Sequence, residues 1–591
     1  MVPSWHPCEG GCEMIVGGRV LHIDLSNQTS ETIERPELYE KLIGGVGAAS
    51  QLLLENCSPS TSYEDAPIIF AIGPLNMFFP CCAKTVALFK SPLTGNLGES
   101  YAGGKLGMAM RLAGHDAILI TGKLDRPHYL LIQDERVEFR DAHALWGLST
   151  RATGRILKEK APGEGRRSIL RIGVAGENQV RYAMVVADTV RHFGRLGIGC
   201  VMGSKYLKGI VITGTHDYKI PAVKEYRAEY KKIYELVLKT GRMDKYDILG
   251  TSKNILQLNE IQALPTRNFS ASSFEAVEGI SGERFADDTL VGKSSCVPCP
   301  IGCIHIGELR VQFDPKHRDY GTVYIPYDFE LIFAFGSNLG IGSTGDVLQL
   351  IERADLRGLD AMSAGVVLGW ITEAYNKGIV TTDDLAGLKP RWGDVSPYLA
   401  ILDLITAPPN MFYRIAGMGV SALAEQYGGK DFAVHFGGNE AAGYHTGPAN
   451  IVGQMVGIRH SHLDNAGYGV DERTLGNPLS TDEIGKELAK EDTWRSVLNS
   501  LIICLFARPV FTPDVVLNAL KAIGIERTLE DLNRIGEEVF HLRMKFKTQE
   551  GFELDNMNPP TRLLERLSPH GRVDRLTIDG IVNSWRRTHR L

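Results

Sequence analysis

Three cysteines fall within eight residues in Cys296-Val-Pro-Cys299-Pro-Ile-Gly-Cys303, and no other segment restricts its own conformation so tightly. Pro298, Pro300 and Gly302 force a short loop that can aim three sulfurs at one centre. A fourth sulfur from elsewhere would complete a cubane [4Fe–4S] site. Cys504, within the apolar run Ser500-Leu-Ile-Ile-Cys504-Leu-Phe, is the natural fourth donor because that run should be buried. Zinc is the rival metal, but its ligands usually come as two closely spaced pairs. Here there is a triplet, a distant single and one nearby imidazole, His305. Inert buried thiols are the third reading, and clustering argues against it. Cys8 and Cys12 sit in a polar, glycine-containing stretch and read as incidental.

Around this loop the chain changes character. Strand patterns occupy residues 19–25, 32–34, 67–72, 85–89, 117–121, 129–133, 136–140, 169–173, 181–186 and 209–213. Glycine-dense connections at 44–47, 91–98, 103–104 and 194–203 separate them. Glycine is 64 of 591 residues, above the usual ~7%, which suits a ligand laid across backbone. Helical spacing takes over from Ala222 and recurs at 222–239, 347–356, 361–376, 514–523 and 529–546. The expected class is α+β, with a β-rich domain at 1–213 and two mainly helical domains at 214–425 and 426–591. A net charge of −6 with no block of like charge disfavours nucleic acid as the main partner. No apolar run approaches the ~18 residues of a membrane span. The first 30 residues lack a basic start followed by an apolar stretch, so the ten cysteines are expected in the cytoplasm, where structural disulfides are rare.

In order along the chain come Gly18-Arg-Val-Leu-His-Ile-Asp-Leu-Ser26, Ile72-Gly-Pro-Leu75, Lys90-Ser-Pro-Leu-Thr-Gly95, Ala102-Gly-Gly104 and Leu112-Ala-Gly-His-Asp-Ala117. Gly194-Arg-Leu-Gly-Ile-Gly199, Val201-Met-Gly-Ser-Lys205 and Asp355-Leu-Arg-Gly-Leu-Asp360 follow, with the four cysteines. By these collinear motifs most of the chain resembles the tungsten-containing aldehyde:ferredoxin oxidoreductase family. The resemblance implies an N-terminal β domain forming a base for two pterin–dithiolene groups that hold one tungsten (molybdenum is possible), followed by two mainly helical domains.

It also implies site residues. Gly103, Gly104, Gly194 and Arg195 match the cofactor-contacting loops, although one such glycine alone would read as a tight turn. Lys84 stands where the family usually has Arg, keeping charge and losing the planar fork. The carbonyls of Tyr101 and Phe193 fall where a Mg²⁺ bridges the pterin phosphates. Asp355, Leu359 and Asp360 are placed against one pterin, Asp360 also being a natural helix N-cap. Asn499 and Ile503, in Asn499-Ser-Leu-Ile-Ile-Cys504, stand where the family favours Asp…Gly-Leu-Cys.

Glu330 and His462 match positions near the metal and are the acid–base candidates. The apolar surroundings of Glu330 should raise a carboxylate pKa; its bland alternative is a buried salt bridge, for instance with an Arg. His462 could be structural, with His460 as rival. The family's interfacial mononuclear iron needs a Glu where this chain has Gln349, so that site is not expected.

The implied activity is oxidation of an aldehyde to a carboxylic acid, electrons leaving through the [4Fe–4S] cluster to ferredoxin or an iron–sulfur partner subunit. A homodimer or hetero-oligomer is compatible. The alternatives are the catalytic subunit of a tungsten enzyme reducing an aromatic coenzyme A thioester, and a non-catalytic electron-transfer subunit.

Overall fold

The computed structural model describes residues 17–161, 163, 166–314 and 319–591, so Cys8 and Cys12 lie outside the described residues. A first mixed sheet contains β1 (Arg19–Asp24), β2 (Thr29–Glu34), β3 (Ile68–Ala71), β4 (Thr85–Lys90), β5 (Leu97–Ala102) and β6 (Ala117–Thr121). Its order is β2-β1-β6-β3-β4-β5. A second contains β7 (His128–Gln133), β8 (Arg136–Asp141), β9 (Ser168–Arg171), β10 (Val185–Ala187), β11 (Arg191–Phe193) and β12 (Leu207–Thr213). Its order is β11-β10-β9-β12-β7-β8.

The period of two along each strand decides how these sheets pack. Leu21, Ile23, Ile68, Phe70, Ile118 and Ile120 face the second sheet's Leu130, Ile132, Ile210 and Ile212 in one shared core. The alternate residues Val20, Ile69, Val86, Leu88 and Leu119 face the opposite way, into the large core made with the helices. The inner strands β3, β4 and β6 are therefore buried on both faces and read as near-continuous apolar runs, whereas the edge strand β2 is exposed and polar.

Beyond residue 213 the long helices begin and end where local chemistry dictates. Ser343 caps Thr344–Arg357, which stops at Gly358 with φ +80°, and Asp360 starts Ala361–Asn376. Capping boxes at Ser480/Glu483 and Thr528/Asp531 open Thr481–Ser500 and Leu529–Gln549.

Three details depart from the sequence reading. Residues 181–184, expected as strand, instead bond to the helical part: Arg181 N donates to Gly417 O (2.7 Å), Met184 N to Gly358 O (2.8 Å), and Tyr182 O accepts from Asp360 N (2.9 Å). The glycine-dense stretches hide β5 at one end and a short helix, Ile198–Ser204, in another. The helical portion also holds an antiparallel sheet of β13 (Leu290–Ser294), β14 (Ile304–Asp314) and β15 (Asp319–Tyr327). No helix among the described residues is long and apolar enough to cross a membrane.

Candidate active site

The β13–β15 sheet positions the cysteine loop. Ser294 pairs with Ile304, so residues 295–303 form the closed end of a hairpin. His305 pairs with Tyr327, so Cys303 and the helix Phe329–Phe335, which carries Glu330, leave the same end of the sheet. The loop seats on the N-terminal sheets: Val297 N donates to Gly104 O (3.1 Å) and Cys81 N to Pro298 O (3.2 Å). Gly103 has no room for a side chain, because an added Cβ would lie 2.5 Å from Cys296 Sγ.

Cys504 reaches the same place from the opposite end of the chain, its N–H donating to Cys81 O at 2.8 Å. Cys81 is thus hydrogen-bonded to both partners at φ +64°, with its sulfur 3.6 Å from Cys299 Sγ. That contact and burial push the Cys81 thiol well above its ordinary pKa, while the same contact draws Cys299 down to about 7 against the opposing effect of its burial. Cys504 lies close enough to Cys299 and Cys296, and Cys303 to Cys504 and Cys296, for their charges to interact. Arg191 places Nη2 3.4 Å from Cys296 Sγ and 3.6 Å from Cys303 Sγ.

Beside this cluster opens a cleft of about 210 Å³. Lys84, Tyr101, Gly194, Arg195, Asn499, Ile503 and Cys504 line it, drawn from three distant parts of the chain. Its cations are Lys84, Arg195 and Arg459; its carboxylate, Glu99, is already engaged by Arg543 (3.1 Å) and the Tyr101 hydroxyl (2.7 Å). Arg195 Nη1, Arg459 Nη2 and Asn439 Oδ1 are buried with no hydrogen-bond partner among the described residues. Unsatisfied buried donors in a positively charged cleft are what a large anionic ligand would complete.

Gly103, Gly104, Phe193, Asp355, Leu359 and Asp360 are not among the residues that line that space. Asp360 is the N-cap, accepting from Met362 N (3.1 Å) and Ser363 N (3.3 Å), and it also receives Arg195 Nε at 3.2 Å. Asp355 accepts from His192 Nε2 at 2.8 Å. Burial would raise the Asp355 pKa, but the His192 contact and the charges of Arg171 and Arg151 hold it below the usual carboxylate range. Leu359 is fully buried and bridges to Ala183. Tyr101 and Phe193 lie on β5 and β11, which pack against each other. Gly103 and Gly104 face the cysteine loop and the Arg191 side chain. Gln349 Nε2 donates to Asp346 Oδ1 at 3.2 Å. Ile502 adopts φ +60°, a strained backbone for a β-branched residue, at the position where the resemblance favours Gly.

Glu330 and His462 meet directly, Oε1 lying 2.9 Å from Nε2. The partner of Glu330 is therefore an imidazole, not an Arg. Ser461 and Leu463, which flank His462, line the cleft. Tyr444 packs on His462 with ring centroids 4.9 Å apart, and Tyr468 stacks on Tyr444 at 4.6 Å. His462 Nδ1 is buried with no partner among the described residues. His460 lies elsewhere, its Nδ1 on Gln454 O (3.1 Å) and its Nε2 on Lys547 Nζ (3.1 Å).

Sequence reasoning passed over Cys81, Arg191 and Arg459. Cys81-Cys82 was a visible signal, as was Arg459 at the head of the quoted Arg459-His-Ser-His-Leu-Asp464. Arg191 carried none, because its contacts arise only from tertiary folding.

Two mixed sheets covered by helices thus carry clustered thiols beside a cationic cleft. A family model described as "Aldehyde ferredoxin oxidoreductase, N-terminal domain" matches residues 20–214. One described as "Aldehyde ferredoxin oxidoreductase, domains 2 & 3" matches residues 228–586. The chain is similar to the tungsten-containing aldehyde ferredoxin oxidoreductase of Pyrococcus abyssi, with 31% identity over 94% of this chain and 92% of the relative. It is 29% identical to the aliphatic sulfonate oxidoreductase, WOR-like subunit, of Pyrococcus furiosus, over 94% and 90% respectively. Among solved structures, the active-site complex BamBC of benzoyl coenzyme A reductase in complex with 1,5-dienoyl-CoA shares the fold, with a TM-score of 0.84 and 20% identity over 98% of this chain and 94% of that one. The chain belongs to the aldehyde ferredoxin oxidoreductase family and is an oxidoreductase.

Proposed function

We propose that this chain oxidises an aldehyde to a carboxylic acid at a tungsten bis-pterin centre in the cleft. Aldehyde and water become acid, two protons and two electrons; a [4Fe–4S] cluster held by the four cysteines would supply the one-electron route to ferredoxin or a partner iron–sulfur subunit. The observation that carries this reading is the cleft itself, with its surplus of cations and unsatisfied buried donors beside four thiols. Lys84, Arg195 and Arg459 would hold the pterin phosphates and ring edges, with Gly194 leaving room for close approach. The carbonyls of Tyr101 and Phe193 would take Mg²⁺, and Asp355, Leu359, Asp360, Asn499 and Ile503 would complete the pterin contacts. Tungsten, when bound, supplies the two-electron acceptor.

Cys296, Cys299, Cys303 and Cys504 would ligate the cluster. Among the described residues no three His, Cys, Asp or Glu side chains close on one point as a single ion requires. A cubane takes one thiolate per iron, which suits four thiols spread around a shared volume. Eight cysteines of the described residues are free, in keeping with a reducing compartment such as the cytoplasm.

The proton chemistry falls to Glu330 and His462. In its doubly protonated form His462 keeps Nε2–H on Glu330 and offers Nδ1–H to the substrate carbonyl oxygen. The second carboxylate oxygen of Glu330 takes a proton from water as the new C–O bond forms. Tyr444 and Tyr468 pack against the His462 ring and hold its orientation.

The test is dye reduction by anaerobically prepared protein of known tungsten, molybdenum and iron content. Reduction driven by short, branched or aromatic aldehydes is expected. None at full metal content overturns the reading, and turnover of an aromatic coenzyme A thioester instead would establish the alternative.

A further inference from the structure

We propose that Arg191 is a positioning residue for the iron–sulfur cluster, its guanidinium donating to two ligand sulfurs so that the cluster accepts an electron more readily; this deepens the reading above and rests on it. Strand β11 pairs with β10 through Ala187↔Arg191 and Val185↔Phe193, which fixes the backbone. The side chain then crosses the two glycines beneath the cysteine loop. A Cβ added to Gly104 would meet Arg191 Cγ at 3.5 Å, and one on Gly103 would meet Nε at 3.5 Å. Both side-chain hydrogen bonds of Arg191 go to sulfur, at 3.4 and 3.6 Å. Its Nε is buried with no partner among the described residues.

Nearby carboxylates are engaged elsewhere. Asp188 accepts from Lys105 N, Ser168 Oγ and Ile169 N, and Asp355 is paired with His192. Asp328, whose charge also acts on Arg191, accepts from Leu331 N as a helix cap. A guanidinium withdrawn from water without an anion is costly, and cluster-ligating Cys296 and Cys303 would place two anionic sulfurs in hydrogen-bond contact with it. Both contacts come from one nitrogen, Nη2, whose two N–H groups point to different sulfurs.

The consequence follows from charge. Reduction adds one electron to an anionic cluster and makes or breaks no bond. A fixed positive charge with N–H···S contacts stabilises the more negative reduced state more than the oxidised one, and hydrogen bonds to sulfur are a known lever on cluster potential. A merely structural Arg191 would anchor the loop and leave the potential alone.

The experiment uses the holoenzyme with iron quantified. Wild-type protein without a reduced-state paramagnetic signal would sink the cluster reading itself. Given that signal, Arg191→Gln is expected to lower the midpoint potential in an EPR-monitored titration. The reduced-to-oxidised ratio at fixed potential should fall about tenfold, equivalent to 59 mV for one electron, with Arg191→Lys falling less. An unchanged potential at full iron content overturns the proposal. Should the Gln variant not retain iron, ¹⁵N-arginine-labelled wild-type enzyme decides: pulsed EPR of the reduced cluster must show a coupled arginine nitrogen, and its absence overturns the proposal.

Discussion

Glu330 and His462 touch at 2.9 Å, so each fixes the orientation of the other. Glu330→Gln and His462→Asn are each expected to lower kcat by about 10²-fold or more with tungsten and iron content unchanged; parallel loss of metal would mark a structural role instead. His460, two residues away, belongs to a different argument. Burial and the neighbouring Lys547 push its pKa down to about 3. Unfolded, it would bind a proton below about 6.5, so between pH 6.5 and 3 the unfolded state holds the extra proton. Its contribution to stability is present above that window and is lost as pH falls through it, by about tenfold in the unfolding constant per pH unit. His460→Gln should flatten this part of the pH dependence, measured by urea unfolding of the protein at several pH values. A slope equal to wild type would show that His460 is not the group responsible.

Loops and hairpins, not single residues, bring the cysteines together. Gly103→Ala places a methyl group 2.5 Å from Cys296 Sγ and is expected to reduce bound iron by more than half while leaving the far-ultraviolet circular dichroism unchanged; normal iron would mean the loop can shift without loss. The sequence showed much of this region. The triplet, its remote fourth thiol, most strands and the Ala361–Asn376 helix follow from spacing, alternation and caps within a few residues of one another. What it concealed is long-range. The glycine-dense stretch at 44–47 reads in sequence as a connection suited to a ligand laid across backbone. In the fold a Cβ on Gly45 would lie 2.3 Å from Ser500 O and one on Gly73 2.4 Å from the same atom, so both make room for the segment that delivers Cys504. The β13–β15 sheet showed only as two short alternations, Ile304/Ile306 and Leu309/Val311, whose phase slips by one residue between them, and was overlooked amid helical periodicity.

The whole molecule is held together by late helices reaching back to early strands. Leu529–Gln549 sends Arg543 to Glu99, and Arg575–His589 lies along Thr481–Ser500 with Trp585 fully buried and its indole N–H on Asp492 at 2.8 Å. Trp585→Ala is expected to cost roughly 3–5 kcal/mol, seen as a lower urea midpoint and, through Thr481–Ser500, weaker retention of metal; an unchanged midpoint would separate this helix from the site. The same long reach sets a timetable. One wall of the cleft comes from Lys84 and Tyr101, another from Arg459, and the last from residues 499–506. A bulky guest can be enclosed there only once residues 499–506 have folded back onto the early strands, so loading follows the docking of that segment.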